Sequence, residues 1–124
     1  MTLFLVMLGA ALGAPSRWAV DRYVATWHKG DFPWGTILIN VSGSLLLGVI
    51  LGATTLTSES IGVVALAGTG FCGGFTTFST FSFETIRLIE DGDHREAGLN
   101  VAVSLAAGLA AALAGWYLAQ LMWA

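Results

Sequence analysis

Four long apolar stretches constrain this chain more than any other feature. They run from about Leu3 to Val24, Trp34 to Ala53, Ser60 to Phe83 and Ala97 to Trp123. A helix of about 20 apolar residues crosses the hydrocarbon core of a bilayer. Charged residues make up only 10% of the 124 residues, against about a quarter in a typical soluble domain. We therefore predict an all-α membrane protein, a single domain over residues 1–124 with four transmembrane helices.

The charges and reactive side chains exclude several classes of function. The net charge is −3 and the chain has no basic cluster, whereas nucleic-acid-binding proteins carry a basic patch along the phosphates. We therefore expect no nucleic-acid partner. The sequence shows no Ser-His-Asp set, phosphate-binding loop or metal-ligand cluster, and its one cysteine, Cys72, fits a small buried hydrophobe. We predict that the protein is not an enzyme.

The third apolar stretch contains an unusual polar run at membrane depth. Adjacent glycines, Gly73 and Gly74, precede a cluster of hydroxyl residues interrupted only by phenylalanines: Thr76, Thr77, Phe78, Ser79, Thr80, Phe81 and Ser82. Because glycine weakens a helix, we predict that the third helix is broken near its middle, at the glycine pair. Irregular backbone survives in a bilayer only where protein or a water-filled cavity covers it. We therefore expect this segment to line a cavity or to be covered by protein.

The spacing leaves two interpretations of this run open. Phe75, Phe78 and Phe81 recur every three residues and lie roughly on one helical face, which is compatible with ordinary lipid or helix packing. Aromatic rings also have a positive edge, so ring edges and hydroxyl donors together can solvate a small anion. Carbonyls freed at a helix break can hold a cation, as in transporters with discontinuous helices.

Other polar residues lie within the predicted spans. They are Asn40 in the second, Arg17 in the first, Asn100 and Ser104 one turn apart in the fourth, and Glu84 at the end of the third. Such residues are costly in a membrane and often functional. Each also has a structural interpretation, as a packing link, a snorkelling cation or a helix end.

Small residues recur at a spacing of four in all predicted helices. The pairs are Gly9 with Gly13, Gly48 with Gly52, Gly70 with Gly74, and Ser104 with Gly108. This spacing allows helix backbones to approach closely in lipid. It predicts a tight bundle and further contacts between copies of the chain.

The basic residues indicate an orientation. Arg22, Lys29, Arg87 and Arg95 all lie in or near the first and third loops, and the opposite side has no Lys or Arg. The positive-inside rule would place both termini outside the cytoplasm.

Three motifs together resemble those of a known family. The segment GFCGGFTTFSTF (residues 70–81) closely resembles the signature of the small bacterial fluoride channels, the Fluc family. GAALGAPSRW (residues 9–18) and GTILINVSG (residues 35–43) look like the family's first-helix and second-helix motifs. Asn100 and Ser104 fit the fourth helix, so the resemblance covers nearly the whole chain.

The resemblance implies a passive fluoride channel in the bacterial inner membrane. Its expected architecture is an antiparallel, dual-topology homodimer with two pores along the subunit interface. The pore residues carried over are Asn40, Phe78, Phe81, Ser79, Thr80, Ser82, Asn100 and Ser104, with Arg17 and Glu84 in a vestibule. The resemblance also implies a structural sodium ion at the dimer axis, held by the backbone carbonyls of Gly73 and Thr76.

Two features depart from the family pattern, and two alternative functions stay open. Pro15 and Ser16 interrupt a stretch that is usually apolar, and the Lys and Arg asymmetry exceeds what dual topology suggests. A small four-helix exporter of the drug/proton antiporter type predicts a carboxylate in the middle of the first helix, but Asp21 lies near its end. A non-transporting membrane scaffold predicts that the hydroxyl run has no ion dependence.

Overall fold

The computed structural model describes residues 2–28, 30, 32–55 and 61–123. The elements in order are α1 (Thr2–Trp27), α2 (Trp34–Thr54), α3 (Ile61–Val63), a π-helical segment (Val64–Cys72), α4 (Gly73–Phe75), α5 (Phe78–Glu90) and α6 (His94–Trp123). The elements from Ile61 to Glu90 follow one another along a single path, called here the third span. Within the described ranges, four helical stretches are long and apolar enough to cross a membrane. This confirms the predicted all-helical class.

The third span is longer than predicted. It extends beyond Phe83 to Glu90 and ends in a turn at Gly92, whose φ of +83° suits glycine. The Asp93 N–H closes that turn on the Leu88 carbonyl at 2.8 Å. The predicted first residue of this span, Ser60, and the basic residue Lys29 lie outside the described residues.

The third span begins with wide helical turns. Its π-helical segment is nine residues long, whereas most π-helices are single-turn bulges. At the end of the segment the Gly73 N–H donates to the Gly68 carbonyl, five residues earlier. The apolar pattern of the sequence does not predict this segment.

Helix α1 packs on the π-helical segment and α4 through small residues. A side chain at Gly74 would place its Cβ 2.9 Å from Ala10 Cα. A side chain at Gly70 would place it 2.7 Å from the Val6 carbonyl oxygen. Gly9 and Gly13 press equally closely on the backbone of the π-helical segment. The first and third spans therefore meet backbone to backbone.

Helices α2 and α6 meet in the same way. A Cβ at Gly52 would lie 2.8 Å from the Trp116 carbonyl oxygen, and Gly48 presses on the backbone of Ala112. The predicted tight bundle is therefore formed. The glycine pairs of α1, α2 and the third span make these close contacts inside one chain. A Cβ built at Gly108 would make only an ordinary contact, 3.6 Å from Ser44 Oγ.

The break in the third span lies three residues after the predicted position. Gly73 keeps helical angles (φ −62°, ψ −41°), so placing the break at the glycine pair was wrong. The chain is extended at Thr76 (φ −81°, ψ 162°) and Thr77 (φ −149°, ψ 119°). Glycine is present at position 74 because close packing against Ala10 leaves no room for a side chain. Thr77 begins the new helix as its N-cap, and its hydroxyl accepts from the Thr80 N–H at 3.1 Å.

Candidate functional site

Asn40 of α2 holds the break in place. Its Nδ2 donates to the Thr77 carbonyl at 2.9 Å, and its Oδ1 accepts from the Thr77 N–H at 2.8 Å. In a continuous α-helix that N–H would donate to the carbonyl of Gly73. The Asn40 amide therefore takes the place of a helical bond, and the Gly73 carbonyl loses its usual partner.

Arg17 lies beside the same break. Its Nη1 donates to the Thr76 carbonyl over a long distance of 3.4 Å. The Thr76 hydroxyl donates to the Cys72 carbonyl at 2.8 Å and closes the first half of the span. A positive charge therefore lies near the extended residues.

The start of α5 carries a hydroxyl cluster. Thr77 Oγ1 donates to Thr80 Oγ1 at 3.1 Å and lies 3.3 Å from Ser79 Oγ. The side chains of Ser79 and Thr80 are exposed, whereas Thr77 is 8% exposed. Sequence reasoning assigned Ser79 and Thr80 to the pore and missed Thr77 as the organising residue. Its signal was available, because threonine before a new helical run is a usual N-cap.

A groove opens between α2 and the third span, next to the break. It encloses about 610 Å³, and we call it the break groove. Its lining includes Asn40, Thr69, Gly73, Thr76 and Phe78. A Cβ built at Gly73 would meet nothing within 4 Å, so this side of the third span faces open space.

A second groove lies between α2, α5 and α6. It encloses about 400 Å³, and we call it the phenylalanine groove. Asn40, Ser44, Phe78, Phe81 and Ser104 line it, together with the small and apolar residues Leu105, Gly108, Leu109 and Ala112. The groove therefore brings together four of the sequence-predicted pore residues from three helices.

The phenylalanines do not share one environment. Phe78 is 77% exposed and lines both grooves, and its ring centroid lies 5.7 Å from that of the half-buried Phe81, at 39°. Phe75 is buried and stacks on Phe71. The expectation that Phe75 lies on the same face as the other two is wrong, because the extended residues between them interrupt the helical period.

The fourth span contributes Ser104 to the groove and keeps Asn100 behind it. Asn100 is 0% exposed. Its Nδ2 donates to Thr85 Oγ1 at 2.8 Å, and its Oδ1 accepts from Ser104 Oγ at 3.3 Å. Ser82 is half-buried, and neither Ser82 nor Asn100 is among the described residues that line the two grooves.

Glu84 lies apart from Arg17, although sequence reasoning placed both in a vestibule. Glu84 Oε1 accepts from the Thr36 hydroxyl at 2.5 Å. It lines a polar pocket of about 210 Å³ with Asp21 and His28, where the first loop meets the start of α2. The structure therefore puts Arg17 beside the break and Glu84 in this outer pocket.

The residues at the break suit a hard cation held by carbonyls. Among the residues that the structure describes, no three His, Cys, Asp or Glu side chains are grouped for a metal. The Gly73 carbonyl has lost its helical donor to Asn40, and its face of the helix is open. Backbone carbonyls at broken membrane helices are sodium ligands in transporters. One chain offers too few of them, and Arg17 also uses the Thr76 carbonyl.

Known proteins resemble this chain over its whole length. The sequence profile described as CrcB-like protein, Camphor Resistance (CrcB), matches residues 4–116. The chain is 49% identical over 124 residues to a Streptomyces avermitilis protein named fluoride-specific ion channel FluC 1, covering 100% of both chains. A Frankia casuarinae protein of the same name is 48% identical, covering 99% of both. A Rhodococcus jostii protein named fluoride-specific ion channel FluC 2 is 47% identical, covering 95% of this chain and 98% of the relative.

Proposed function

This chain belongs to the CrcB-like protein family, and from that premise we propose that it is a fluoride-specific ion channel. The relatives that match it over nearly their full length carry that name. A channel moves an ion without chemical conversion, so the protein is not an enzyme. Its four apolar spans make it a multi-pass membrane protein, and we place it in the bacterial inner membrane.

The observation that carries the proposal is the phenylalanine groove. It combines the exposed Phe78 ring and the half-buried Phe81 ring with hydroxyl and amide groups at membrane depth, and none of the described residues that line it is basic. Ring edges are weakly positive. The Asn40 amide has two hydrogens, of which one goes to Thr77, so the other is available to an anion. A narrow site of such donors favours a small, strongly hydrogen-bonding anion such as fluoride.

The pore residues that we propose are those predicted from the sequence, with distinct roles. Asn40, Phe78, Phe81 and Ser104 line the phenylalanine groove. Ser79, Thr80 and Ser82 follow the break on α5, and Asn100 supports Ser104 from behind. We propose that Arg17 attracts the ion and that Glu84 helps to release it, at two different points along its route.

A second copy of the chain completes each pore in this proposal. Both grooves are open on the outside of the single chain. Polar backbone at membrane depth is tolerated only against protein or water, so lipid is an unsuitable cover for Asn40, Gly73 and Thr76. Thr76 and Thr77 lie at the centre of a 30-residue span, so inverting a second copy leaves its break at the same depth. We therefore propose an antiparallel homodimer with two equivalent pores, with which the central position of the break is compatible.

We propose further that a sodium ion joins the two copies at their breaks. The Gly73 and Thr76 carbonyls of each copy would hold it, which supplies the oxygen ligands that one chain lacks. The open face at Gly73 supports this position. The long Arg17 contact to the Thr76 carbonyl places a second positive charge nearby. Bound there, the ion would tie the subunits together and add a positive field that favours an anion.

The physiological role is passive export. Fluoride enters acidified cells as neutral HF, dissociates in the cytoplasm and leaves through the pore down its electrochemical gradient. In a bacterial strain made fluoride-sensitive by deletion of its own fluoride channel, expression of this chain is expected to restore growth in fluoride at acidic pH. A membrane scaffold would not restore growth. In liposomes without a proton gradient, a proton-coupled exporter would release no fluoride, whereas a passive channel would release it.

A further inference from the structure

A chain of hydrogen bonds runs behind the phenylalanine groove and connects its two walls. Ser104 Oγ donates to Asn100 Oδ1 at 3.3 Å, and Asn100 Nδ2 donates to Thr85 Oγ1 at 2.8 Å. Thr85 Oγ1 in turn donates to the Phe81 carbonyl at 2.8 Å. Phe81 on α5 and Ser104 on α6, the two ends of the chain, both line the groove. Thr85 does not line it.

On its α2 side, α5 is held at Glu84 by the Thr36 hydroxyl and at its N-cap Thr77 by Asn40. On its α6 side, the bond from Asn100 to Thr85 is the one side-chain hydrogen bond among the described residues. Leu88 is the only buried residue of this helix, and the side chains on its phenylalanine face are exposed or half-buried. Asn100 is 0% exposed, so its amide has neither water nor lipid headgroups as alternative partners. An unsatisfied buried amide is costly. The Thr85 hydroxyl therefore fixes α5 against α6 at the level of Phe81.

We propose that Thr85 is a positioning residue that sets the distance between Phe81 and Ser104, and thereby the passage of fluoride through the groove. This inference rests on the proposed channel function. Thr85 touches no ion and acts through the groups at either end of the hydrogen-bond chain. The hydroxyl is the essential group, since it accepts from Asn100 and donates to Phe81 at the same time.

The test is fluoride efflux from liposomes for two substitutions at this position. Thr85→Val keeps the branched shape and removes the hydroxyl, so α5 shifts to relieve the unpaired Asn100 amide. Fluoride efflux per natively eluting protein is expected to fall about tenfold, the effect of losing a hydrogen bond to a buried group. Thr85→Ser keeps the hydroxyl and is expected to restore at least half of the wild-type rate.

Thr26→Val is the matched control. The Thr26 hydroxyl bonds only the Tyr23 carbonyl of its own helix, at an exposed position far along α1 from the groove. Its efflux is expected to equal that of the wild type. Asn100→Ala is expected to reduce efflux, and adding Thr85→Val to it is expected to cause no further loss, because both substitutions break the same chain.

The outcomes separate this inference from the function on which it rests. A wild-type protein without fluoride efflux overturns both. Wild-type efflux together with normal efflux from Thr85→Val overturns only the positioning role. An equal loss in Thr85→Ser and Thr85→Val, or an additive loss in the double variant, also overturns it. If Thr85→Val fails to elute as native protein, the other two variants decide. A loss of efflux in Thr85→Ser, or normal efflux from Asn100→Ala, then overturns the positioning role.

Discussion

At the residue scale, the side-chain amide of Asn40 replaces hydrogen bonds that a continuous helix would make. Asn40 bonds both the N–H and the carbonyl of Thr77, so two backbone groups that a broken membrane helix would leave bare are satisfied. All buried side-chain polar atoms of the described residues likewise have a partner. Asn40 and Thr77 therefore act together, and their hydrogen bonds fix the position of the break.

The phenylalanines make the first prediction at this scale. Isoleucine keeps much of the bulk of Phe78 or Phe81 but lacks the positive ring edge. Phe78→Ile and Phe81→Ile are each expected to reduce fluoride efflux about tenfold or more, given the strength of aromatic edge contacts, while each variant still elutes at the position of the wild type. Phe83→Ile is the control, because Phe83 is 64% exposed and lines neither groove. Normal efflux from both groove variants would remove the rings from the mechanism.

Single residues were partly predictable from the sequence. Asn40, Phe78, Phe81 and Ser104 stood out because polar and aromatic groups at membrane depth are unusual, and the structure brings them to one groove. The role of Thr77 as an N-cap was missed although threonine before a helical run signals it, whereas the role of Thr85 was not predictable. Threonine is tolerated in membrane helices for local bonding, and nothing in the spacing distinguishes a hydroxyl that bridges two spans from one that bonds its own turn.

At the element scale, close packing of glycines holds the four spans together. Because side chains at Gly48, Gly52 and Gly74 would overlap neighbouring backbone, a methyl group at any of them would force the packed helices apart. Van der Waals attraction between backbones that approach this closely is a main source of helix association in lipid.

Alanine substitution distinguishes the packed glycines from the free ones. Gly48→Ala drives its Cβ into the backbone of Ala112 and is expected to destabilise the protein by about 1–3 kcal/mol, the usual cost of overpacking. Gly98→Ala is the control on α6, where a Cβ would meet nothing within 4 Å. It is expected to be neutral or to stabilise by up to about 1 kcal/mol through helix propensity. Thermal unfolding in detergent measures both, and equal melting temperatures would contradict this packing.

The sequence predicted the existence of the helix break but not its position. The glycine pair suggested a weak point, yet Gly74 lies against Ala10 and stays helical. The break moves to Thr76 and Thr77 because Asn40 and the Thr77 hydroxyl supply partners there. Such tertiary partners are not visible in the third stretch alone. The same limit explains why the π-helical segment was not foreseen.

At the scale of the whole molecule, the proposed pores and sodium site need a second copy of the chain. Its grooves and the open face at Gly73 lie on the outside, where the proposed second copy and sodium ion would bind. A structure determined in sodium buffer is expected to show an ion between the Gly73 and Thr76 carbonyls of two copies. The same preparation in N-methylglucamine buffer is expected to lack it. Two copies with no ion in sodium buffer would refute the sodium site.

The orientation of the two copies is testable in cells. In a Cys72→Ala background, a cysteine replacing the exposed His94 reports on which side of the membrane the third loop lies. Dual topology predicts that an impermeant thiol reagent labels about half of the protein in intact cells and all of it after permeabilisation. Labelling of all or none in intact cells would mean one fixed orientation, as the asymmetry of Lys and Arg suggests, and would exclude an antiparallel dimer.

The most direct measurement is ion efflux from liposomes that contain only this protein. Vesicles are loaded with potassium fluoride or potassium chloride, valinomycin releases the potassium, and an ion-selective electrode follows the anion. Our account predicts rapid fluoride release without any proton gradient and no chloride release above that of empty vesicles. No fluoride release, or chloride release at a comparable rate, would contradict it.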